Sequence, residues 1–182
     1  MNKKLISTSK FISLVLRHKP EQIGLQLDAQ GWAGIDDLLR LAGAAGKDIS
    51  RAMLEEIVAG NDKQRFIISE DGKRIRANQG HSIEVDLALD PVAPPAVLFH
   101  GTATRFLQSI RGQGLIQGNR QHVHLSLERA TAMNVGARHG LPAILEVDAA
   151  RMHADGHLFY LSKNGVWLCK HVPVSYIAFP PG

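Results

Sequence analysis

Residues 65–77 read Arg-Phe-Ile-Ile-Ser-Glu-Asp-Gly-Lys-Arg-Ile-Arg-Ala, and this stretch decides the fold of the first half of the chain. Two runs of β-prone residues flank an Asp-Gly pair, which favours a tight hairpin turn. Because side chains alternate along a strand, Arg74 and Arg76 share one face of the return strand while Ile75 lies on the other. The stretch therefore predicts a β-hairpin with one cationic face.

An amphipathic helix is predicted near the N-terminus. Apolar residues at positions 11, 12, 15 and 16 share one helical face. Ser7 or Ser9 can cap its start, and Pro20 ends it near His18 because proline disfavours a helical conformation at the preceding residue. Arg17 and His18 then stand at the helix C-terminus, where the helix dipole stabilises cations by about 0.3–1 kcal/mol. A purely structural role is thus open for them beside a functional one.

Two more helices separate this one from the hairpin. Residues 23–28 alternate as a short strand would, and Asp36 or Asp37 can cap the next helix. Ser50 opens the following helix and Gly60 closes it. The predicted order is helix, short strand, helix, helix and hairpin, which is the element order of a winged helix.

The second half of the chain follows a proline-rich connection at residues 90–95. Such a connection favours a boundary between two lobes, residues 1–90 and residues 91–182. The second lobe is predicted to be a mixed lobe of the α+β class with many short strands and few helices. The strands are expected at 97–102, 120–126, 143–147, 159–162, 166–168 and 176–179, and the helices at 103–111 and 128–138.

Composition limits the possible functions. The 182 residues contain no apolar run near the ~20 residues that span a bilayer, so no membrane association is expected. A single cysteine, Cys169, excludes an internal disulfide and indicates a reducing, cytoplasmic location. Residues 1–90 carry 13 basic and 13 acidic side chains, whereas residues 91–182 carry 8 basic and 4 acidic ones. Anion binding in the first lobe must therefore come from local placement of charge.

The chemistry-bearing residues are mostly arginines and histidines beside turns. No nucleophile–base pair and no pair of carboxylates stands out. His122 and His124 share a strand face, but a metal site needs a third ligand, so no metal is predicted. Arginine and histidine near turns are the groups that hold an anion and stabilise charge on phosphoryl oxygens.

Eight motifs occur in the order found in one known family, and together they span nearly the whole chain. They are Leu16–Pro20, Asp28 with Gly31–Trp32, Arg65–Phe66, Ile75–Ser82, His100–Thr102, Arg120 with Val123–Ser126, Gly136–Arg138 and Ser162–Leu168. In these residues the chain resembles the RNA (tRNA) 2′-phosphotransferases. The resemblance implies an N-terminal winged-helix RNA lobe and a C-terminal lobe similar to ADP-ribosyltransferases.

The resemblance also implies a reaction. An internal RNA 2′-phosphate would attack NAD, a co-substrate, release nicotinamide and form an RNA-2′-phospho-ADP-ribose intermediate. The ribose 2″-hydroxyl would then attack phosphorus, giving 2′-OH RNA and ADP-ribose 1″,2″-cyclic phosphate. A phosphomonoester is mostly anionic at neutral pH because its second pKa is about 6, so the first step needs no general base. The expected partners are a tRNA-like RNA and NAD, with no metal, and a monomer suffices.

Site residues follow from the same resemblance. The catalytic set is Arg17, His18, Arg65 and Arg120. The NAD-binding set is His100, Gly101, Thr102, Ser126 and Arg138. The RNA-binding set is Lys19, Arg76, Gln79, Gly80, His81 and Ser82.

Two other functions are open at this level. The first is an ADP-ribosyltransferase that caps phosphorylated nucleic-acid ends and stops after the first step. The second is a winged-helix nucleic-acid binder without enzymatic activity. Release of nicotinamide separates the binder from both enzymes, and the fate of the phosphate separates the two enzymes.

Overall fold

The computed structural model of the protein describes residues 3–60 and 63–181. The fold is a mixed α+β fold, with six α-helices and small antiparallel sheets in the described residues. The chain divides into two compact units, Met1–Ala88 and Leu89–Gly182. They are called here the N-terminal unit and the C-terminal unit.

The N-terminal unit begins with helix α1, Lys3–Arg17. The predicted start at Ser7 or Ser9 is wrong, because Leu5 also packs against the core and the helix extends upstream to include it. The predicted end is confirmed, since the helix stops at Arg17. The predicted strand at residues 23–28 is also wrong. Pro20 starts a 3-10 turn, Pro20–Ile23, and the Leu25 N–H that follows it donates to the Pro20 carbonyl.

The remaining elements follow the predicted order, except that the short strand lies at Ala33–Gly34 and not at residues 23–28. Strand β1 is Ala33–Gly34, helix α2 is Ile35–Ala44 and helix α3 is Arg51–Ala59. The Ser50 hydroxyl caps α3 as predicted, accepting a hydrogen bond from the Met53 N–H. The hairpin is also confirmed: strand β2, Phe66–Ile68, pairs antiparallel with strand β3, Arg74–Ala77.

A three-stranded sheet in the order β1-β3-β2 backs the three helices. Side chains from every helix and from all three strands meet in one apolar core. Its largest fully buried members are Ile12, Leu16, Ile35, Leu38, Leu54, Ile57 and Ile75. This core fixes the end of α1 against the hairpin, which places the first group of site residues.

The C-terminal unit is built from eight short strands and three helices in the described residues. Its elements are β4 (Val97–Ala103), α4 (Leu107–Gln113), β5 (Leu115–Ile116), β6 (Val123–Leu125), α5 (Arg129–Gly136), β7 (Pro142–Asp148), α6 (Ala149–Ala154), β8 (Tyr160–Leu161), β9 (Trp167–Cys169), β10 (His171–Val172) and β11 (Ile177–Ala178). The helix predicted at 103–111 starts later than expected, because β4 runs through Ala103 and a 3-10 turn follows.

Three antiparallel sheets make up this unit. Their strand orders are β11-β7-β4, β6-β9-β8 and β10-β5. The backbones of Phe99 and Ser126 exchange two hydrogen bonds of 2.8 Å, which join the end of β6 to the middle of β4. This junction places the second group of site residues.

Helix α5 packs on β4 at backbone distance. A Cβ atom on Gly101 would lie 1.7 Å from the Ala132 carbonyl oxygen, and one on Gly136 would lie 2.5 Å from the Thr102 carbonyl oxygen. Only glycine fits at either position, because real Cβ contacts do not come below 3.0 Å. The close approach fixes the residues that follow α5, including Arg138.

None of the described helices combines the length and the apolar character that a membrane crossing requires.

Candidate functional site

The C-terminal end of α1 carries the first two predicted site residues. The Arg17 Nη2 donates to the carbonyl oxygen of Arg65 at 3.4 Å. The Arg17 guanidinium carbon lies 5.9 Å from the ring centroid of Phe66. A side chain from α1 is thus held at the start of β2, beside the third predicted cation.

The segment after β3 returns to the same place. The Ser82 N–H donates to the Arg17 carbonyl at 2.9 Å. The Ser82 hydroxyl and His18 Nδ1 share a hydrogen bond of 2.8 Å, in which either atom can donate. Four predicted residues, Arg17, His18, Arg65 and Ser82, therefore come together from positions far apart in the sequence.

His81 lies beneath this group and is only 2% exposed. Neither ring nitrogen has a hydrogen-bond partner in the described part of the chain. Burial, and then the charges of Arg17, His18 and Arg76, lower the pKa of His81 to about 4. The imidazole is therefore neutral at physiological pH.

The cationic face of the hairpin covers Trp32. The guanidinium carbons of Arg76 and Arg74 lie 4.7 Å and 5.3 Å from the centroid of its ring. Arg76 also donates from Nη1 to the Gln30 carbonyl at 3.4 Å and is buried. Trp32 is half-buried under two arginines.

Three predicted RNA-binding residues are less constrained. Lys19 is exposed, and Gln79 and Gly80 are half-buried. Among residues 3–60 and 63–181, the Lys19 and Gln79 side chains make no hydrogen bond with other site residues. Gly80 has a φ of 86°, a left-handed conformation that glycine adopts without a steric penalty.

The second group of site residues lies in the C-terminal unit, around His124. The Arg120 Nη1 donates to His124 Nδ1 at 2.9 Å, since a guanidinium has no acceptor. The His100 Nδ1–H donates to the His124 carbonyl oxygen at 3.0 Å. One residue therefore positions both a predicted catalytic arginine and a predicted NAD-binding histidine.

The surroundings of His100 disfavour its protonated form. Burial lowers its pKa, its hydrogen bond to the His124 carbonyl opposes that effect, and the charge of Arg120 lowers the pKa further. Because Nδ1 carries the proton, Nε2 of the neutral ring is a hydrogen-bond acceptor.

The other predicted NAD-binding residues lie on adjoining elements. Thr102 is buried on β4, and the backbone of Ser126 pairs with Phe99, the neighbour of His100. Arg138 lies in the 3-10 turn that follows α5. Desolvation, and then the positive charge of Arg138, lower the pKa of Arg120, so two arginines act on one region of this unit.

Gly101 has a packing role that its sequence motif does not reveal. The space a side chain would need is filled by the backbone of α5. The residue is therefore required for the helix to approach β4, whatever it contributes to a ligand.

The sequence reasoning missed His124. Alternation along the strand placed His122 and His124 together and suggested only a metal site. In the structure the His122 ring instead meets Tyr160 edge-on, at 5.9 Å between centroids. No group of three or more metal-binding side chains comes together in the described residues. The role of His124 depends on its backbone carbonyl as well as its ring, and a backbone carbonyl leaves no sequence signal.

The predicted site arginines differ from most other arginines in their charge environment. Five others form ion pairs with carboxylates: Arg40, Arg51, Arg74, Arg129 and Arg151. Within residues 3–60 and 63–181, Arg65, Arg120 and Arg138 form none. Their charge is not compensated by a neighbouring carboxylate, as an anion-binding site requires.

Residues 3–171 match the family model described as RNA 2′-phosphotransferase, Tpt1 / KptA family. The chain belongs to the RNA 2′-phosphotransferase family. The resemblance seen in the sequence motifs is thereby confirmed. The family is named for the transfer of a 2′-phosphate from RNA, so the chain is a transferase of RNA processing.

Individual members of the family match over nearly their full length. A protein of Acaryochloris marina named "Probable RNA 2′-phosphotransferase" is 56% identical over 176 residues, which are 97% of this chain and 97% of that one. A protein of the same name from Agrobacterium fabrum is 60% identical over 171 residues, covering 94% and 92%. Another, from Pseudomonas aeruginosa strain UCBPP-PA14, is 57% identical over 176 residues, covering 96% and 97%.

Proposed function

We propose that the chain transfers an internal RNA 2′-phosphate to NAD in two steps, using Arg17, His18, Arg65 and Arg120 as its catalytic residues. The family match over residues 3–171, which includes all four, carries this proposal. The contacts of Arg17 and His18 with the Arg65 and Ser82 segments support a phosphate site in the N-terminal unit. The contact of Arg120 with His124 supports a second anion-binding group, in the C-terminal unit.

We assign the two lobes accordingly. Residues 1–90 form a winged-helix RNA lobe, which three helices and a three-stranded antiparallel sheet support. Residues 91–182 form an ADP-ribosyltransferase-like lobe that binds NAD, which its short antiparallel strands support. One copy of the chain contains all the assigned residues, so the proposed active form is a monomer. Its single cysteine supports a cytoplasmic location.

NAD, the co-substrate, would be held by the group around β4. Its nicotinamide–ribose bond supplies the electrophilic carbon for the reaction. The acceptor nitrogen of His100 and the buried hydroxyl of Thr102 suit ribose hydroxyls. Arg138, which has no carboxylate partner in the described chain, suits the pyrophosphate. These groups match the chemistry of an anionic dinucleotide. The Ser126 hydroxyl and the Gly101 backbone complete the proposed set.

In the first step an oxygen of the 2′-phosphate attacks the ribose carbon that carries nicotinamide. The carbon–nitrogen bond breaks, and its electron pair neutralises the nicotinamide ring. The dianionic phosphate is already a competent nucleophile, so the residues only orient it. Arg65 and Arg17 donate hydrogen bonds to its oxygens, and the flanking RNA is held by Lys19, Gln79, Gly80 and Ser82.

In the second step the ribose 2″-hydroxyl attacks phosphorus, and the bond from phosphorus to the RNA 2′-oxygen breaks. The attacking hydroxyl loses a proton and the departing RNA oxygen gains one. Arginines aimed at the phosphoryl oxygens stabilise the charge that develops there. When the Ser82 hydroxyl donates to His18 Nδ1, the ring proton lies on Nε2, which makes His18 a donor toward the leaving oxygen.

His81 and Arg76 act in this proposal by positioning. Both are buried, and the neutral His81 ring packs beneath Arg17 and His18. Their effect on RNA binding would pass through the site residues above them.

The test uses an RNA with a radiolabelled internal 2′-phosphate, incubated with NAD. Recovery of the label in ADP-ribose cyclic phosphate, with one nicotinamide per phosphate, is the expected result. Label that stays joined to both RNA and ADP-ribose would favour the capping transferase. Absence of nicotinamide release would leave only the binding protein.

Arg65→Ala and Arg120→Ala test the assigned residues in the two units. Each is expected to lower turnover by about a thousandfold, as loss of a transition-state charge contact does. Arg40→Ala and Arg129→Ala are matched controls, because these exposed arginines pair with carboxylates in the same two units. Near-normal activity of both site variants would overturn the assignment.

A further inference from the structure

A groove of about 390 Å³ runs along one face of α1 toward the proposed phosphate site. Its lining residues on the helix recur every three to four positions, so they form one continuous stripe. The stripe ends at His18, and Arg65 closes that end of the groove. The full lining is Ile6, Ser9, Lys10, Ser13, Leu14, His18 and Arg65.

The polar groups of the groove differ in what they offer to a ligand. Ser9 is only 4% exposed, yet its hydroxyl oxygen makes no hydrogen bond in the described residues. That oxygen has almost no accessible surface, so the half-buried Ser13 supplies the hydroxyl that a ligand in the groove can reach. Lys10 is exposed and forms no ion pair among residues 3–60 and 63–181, so its charge can meet an external anion.

The groove also offers apolar contact. Ile6 is 42% exposed although it is a large aliphatic side chain, and Leu14 is half-buried. The occupant must therefore combine an apolar face, hydrogen-bonding groups and a negative charge. A ribonucleotide has all three, in its base, its 2′-hydroxyl and base edges, and its phosphodiester.

The spacing suits a substrate that continues from the phosphate site. Lys10 and His18 are eight residues apart, which is about 12 Å along the axis of a helix that rises about 1.5 Å per residue. A flanking nucleotide can lie in that interval with its phosphodiester near Lys10.

We infer that this groove binds the nucleotide next to the 2′-phosphorylated nucleotide in single-stranded RNA. Lys10 contacts its phosphodiester, the Ser13 hydroxyl bonds its ribose or base edge, and Ile6 and Leu14 pack on its base. The inference rests on the proposed function, because it takes His18 and Arg65 as the phosphate site.

Lys10→Ala is the main test variant, assayed with an RNA hexamer carrying one internal 2′-phosphate. Its KM for the RNA is expected to rise about tenfold, as for loss of a charged hydrogen bond, with kcat within about twofold. The slope of log KM against log salt should fall by about 0.7, the effect of one phosphate contact on a single strand. Lys47→Ala removes an exposed lysine outside the groove and should change neither quantity.

Shortened RNAs give the sharper test. Removing the nucleotides on one side of the phosphorylated nucleotide should raise the wild-type KM and abolish the difference between the wild type and Lys10→Ala. A second variant, Ser13→Phe, fills the groove and should raise the KM of the hexamer but not of that shortened RNA. Thermal unfolding shows that each variant is folded.

The outcomes separate the two proposals. If the wild-type protein releases no nicotinamide with 2′-phosphorylated RNA, the proposed function fails. If the wild type turns over normally and both variants keep its KM for the hexamer, the groove inference fails alone. An equal effect of Lys10→Ala on the hexamer and on both shortened RNAs would also overturn it.

Discussion

The buried His81 makes the stability of the protein depend on pH in a defined way. Its ring is packed against Gly31, where an added Cβ would lie 3.4 Å from His81 Nε2. The charges that face it are Arg17 and His18 from the end of α1 and Arg76 from β3. A proton on His81 would therefore be both desolvated and repelled.

The sign follows from the lowered pKa of His81, about 4 in the folded protein. In the unfolded chain an imidazole has a pKa of about 6.5. Above pH 6.5 the ring is neutral in both states. Between pH 6.5 and 4 only the unfolded chain binds the proton, so the free energy of unfolding falls as the pH falls. With these two pKa values the loss between pH 8 and pH 5 is about 2 kcal/mol, and it reaches about 3 kcal/mol at pH 4.

The assay is urea unfolding at pH 8 and pH 5, followed by circular dichroism, for the wild type and for His81→Gln. Other titrating groups cancel in the difference between the two proteins. The variant should lose about 2 kcal/mol less than the wild type over this range, a difference of about 1 M in the urea midpoint. His139→Gln removes an exposed imidazole and should keep the wild-type profile. If His81→Gln and the wild type lose the same stability within about 0.5 kcal/mol, the neutral buried imidazole is refuted.

Three further predictions concern the C-terminal unit. Gly101→Ala should lower the Tm by roughly 6–12 °C, because overpacking against the backbone of α5 costs about 3 kcal/mol. The control Gly112→Ala lies in a helix, where an added Cβ would meet nothing within 4 Å, and should raise the Tm slightly. An equal Tm for the two variants would contradict the prediction. His124→Ala removes the ring that orients the site arginine and should lower kcat by roughly tenfold to a hundredfold, whereas His122→Ala, one pleat away, should keep a near-normal kcat. Burial raises the pKa of Cys169 to about 12, so iodoacetamide at pH 8 should leave the thiol of the native protein unmodified and should alkylate it fully in urea. Mass spectrometry measures the extent of alkylation. Rapid alkylation of the native protein would contradict the prediction, because it would show that the thiol is accessible.

Local patterns predicted the elements whose cause is itself local. The hairpin follows from its Asp-Gly turn and alternating strands, and α3 follows from the Ser50 cap. The prediction of a strand at 23–28 was wrong because another local signal outweighed the alternation of side chains. Alternation was present, but Pro20 and the left-handed Gly24, with a φ of 69°, favour a 3-10 turn there.

Contacts between segments that are distant in the chain could not be predicted from the sequence. The motif comparison named Arg17, His18 and Ser82, but their bonds join residues about 64 positions apart and depend on the folded core. His124 lay within the motif Val123–Ser126, but the motif did not reveal its role, because part of that role belongs to a backbone carbonyl, which every residue possesses. Gly101 was assigned to NAD binding, whereas its packing against α5 appears only when helix and strand are placed together.

The contact of α5 with β4 has an evolutionary consequence. A large residue in an ordinary core can be offset by a smaller one opposite it. At Gly101 and Gly136 the opposing atoms belong to the main chain, so no partner can shrink to make room. Each glycine should therefore resist replacement independently of the other. A genetic screen for second-site suppressors of a substitution at Gly101 should find none among the side chains that face it.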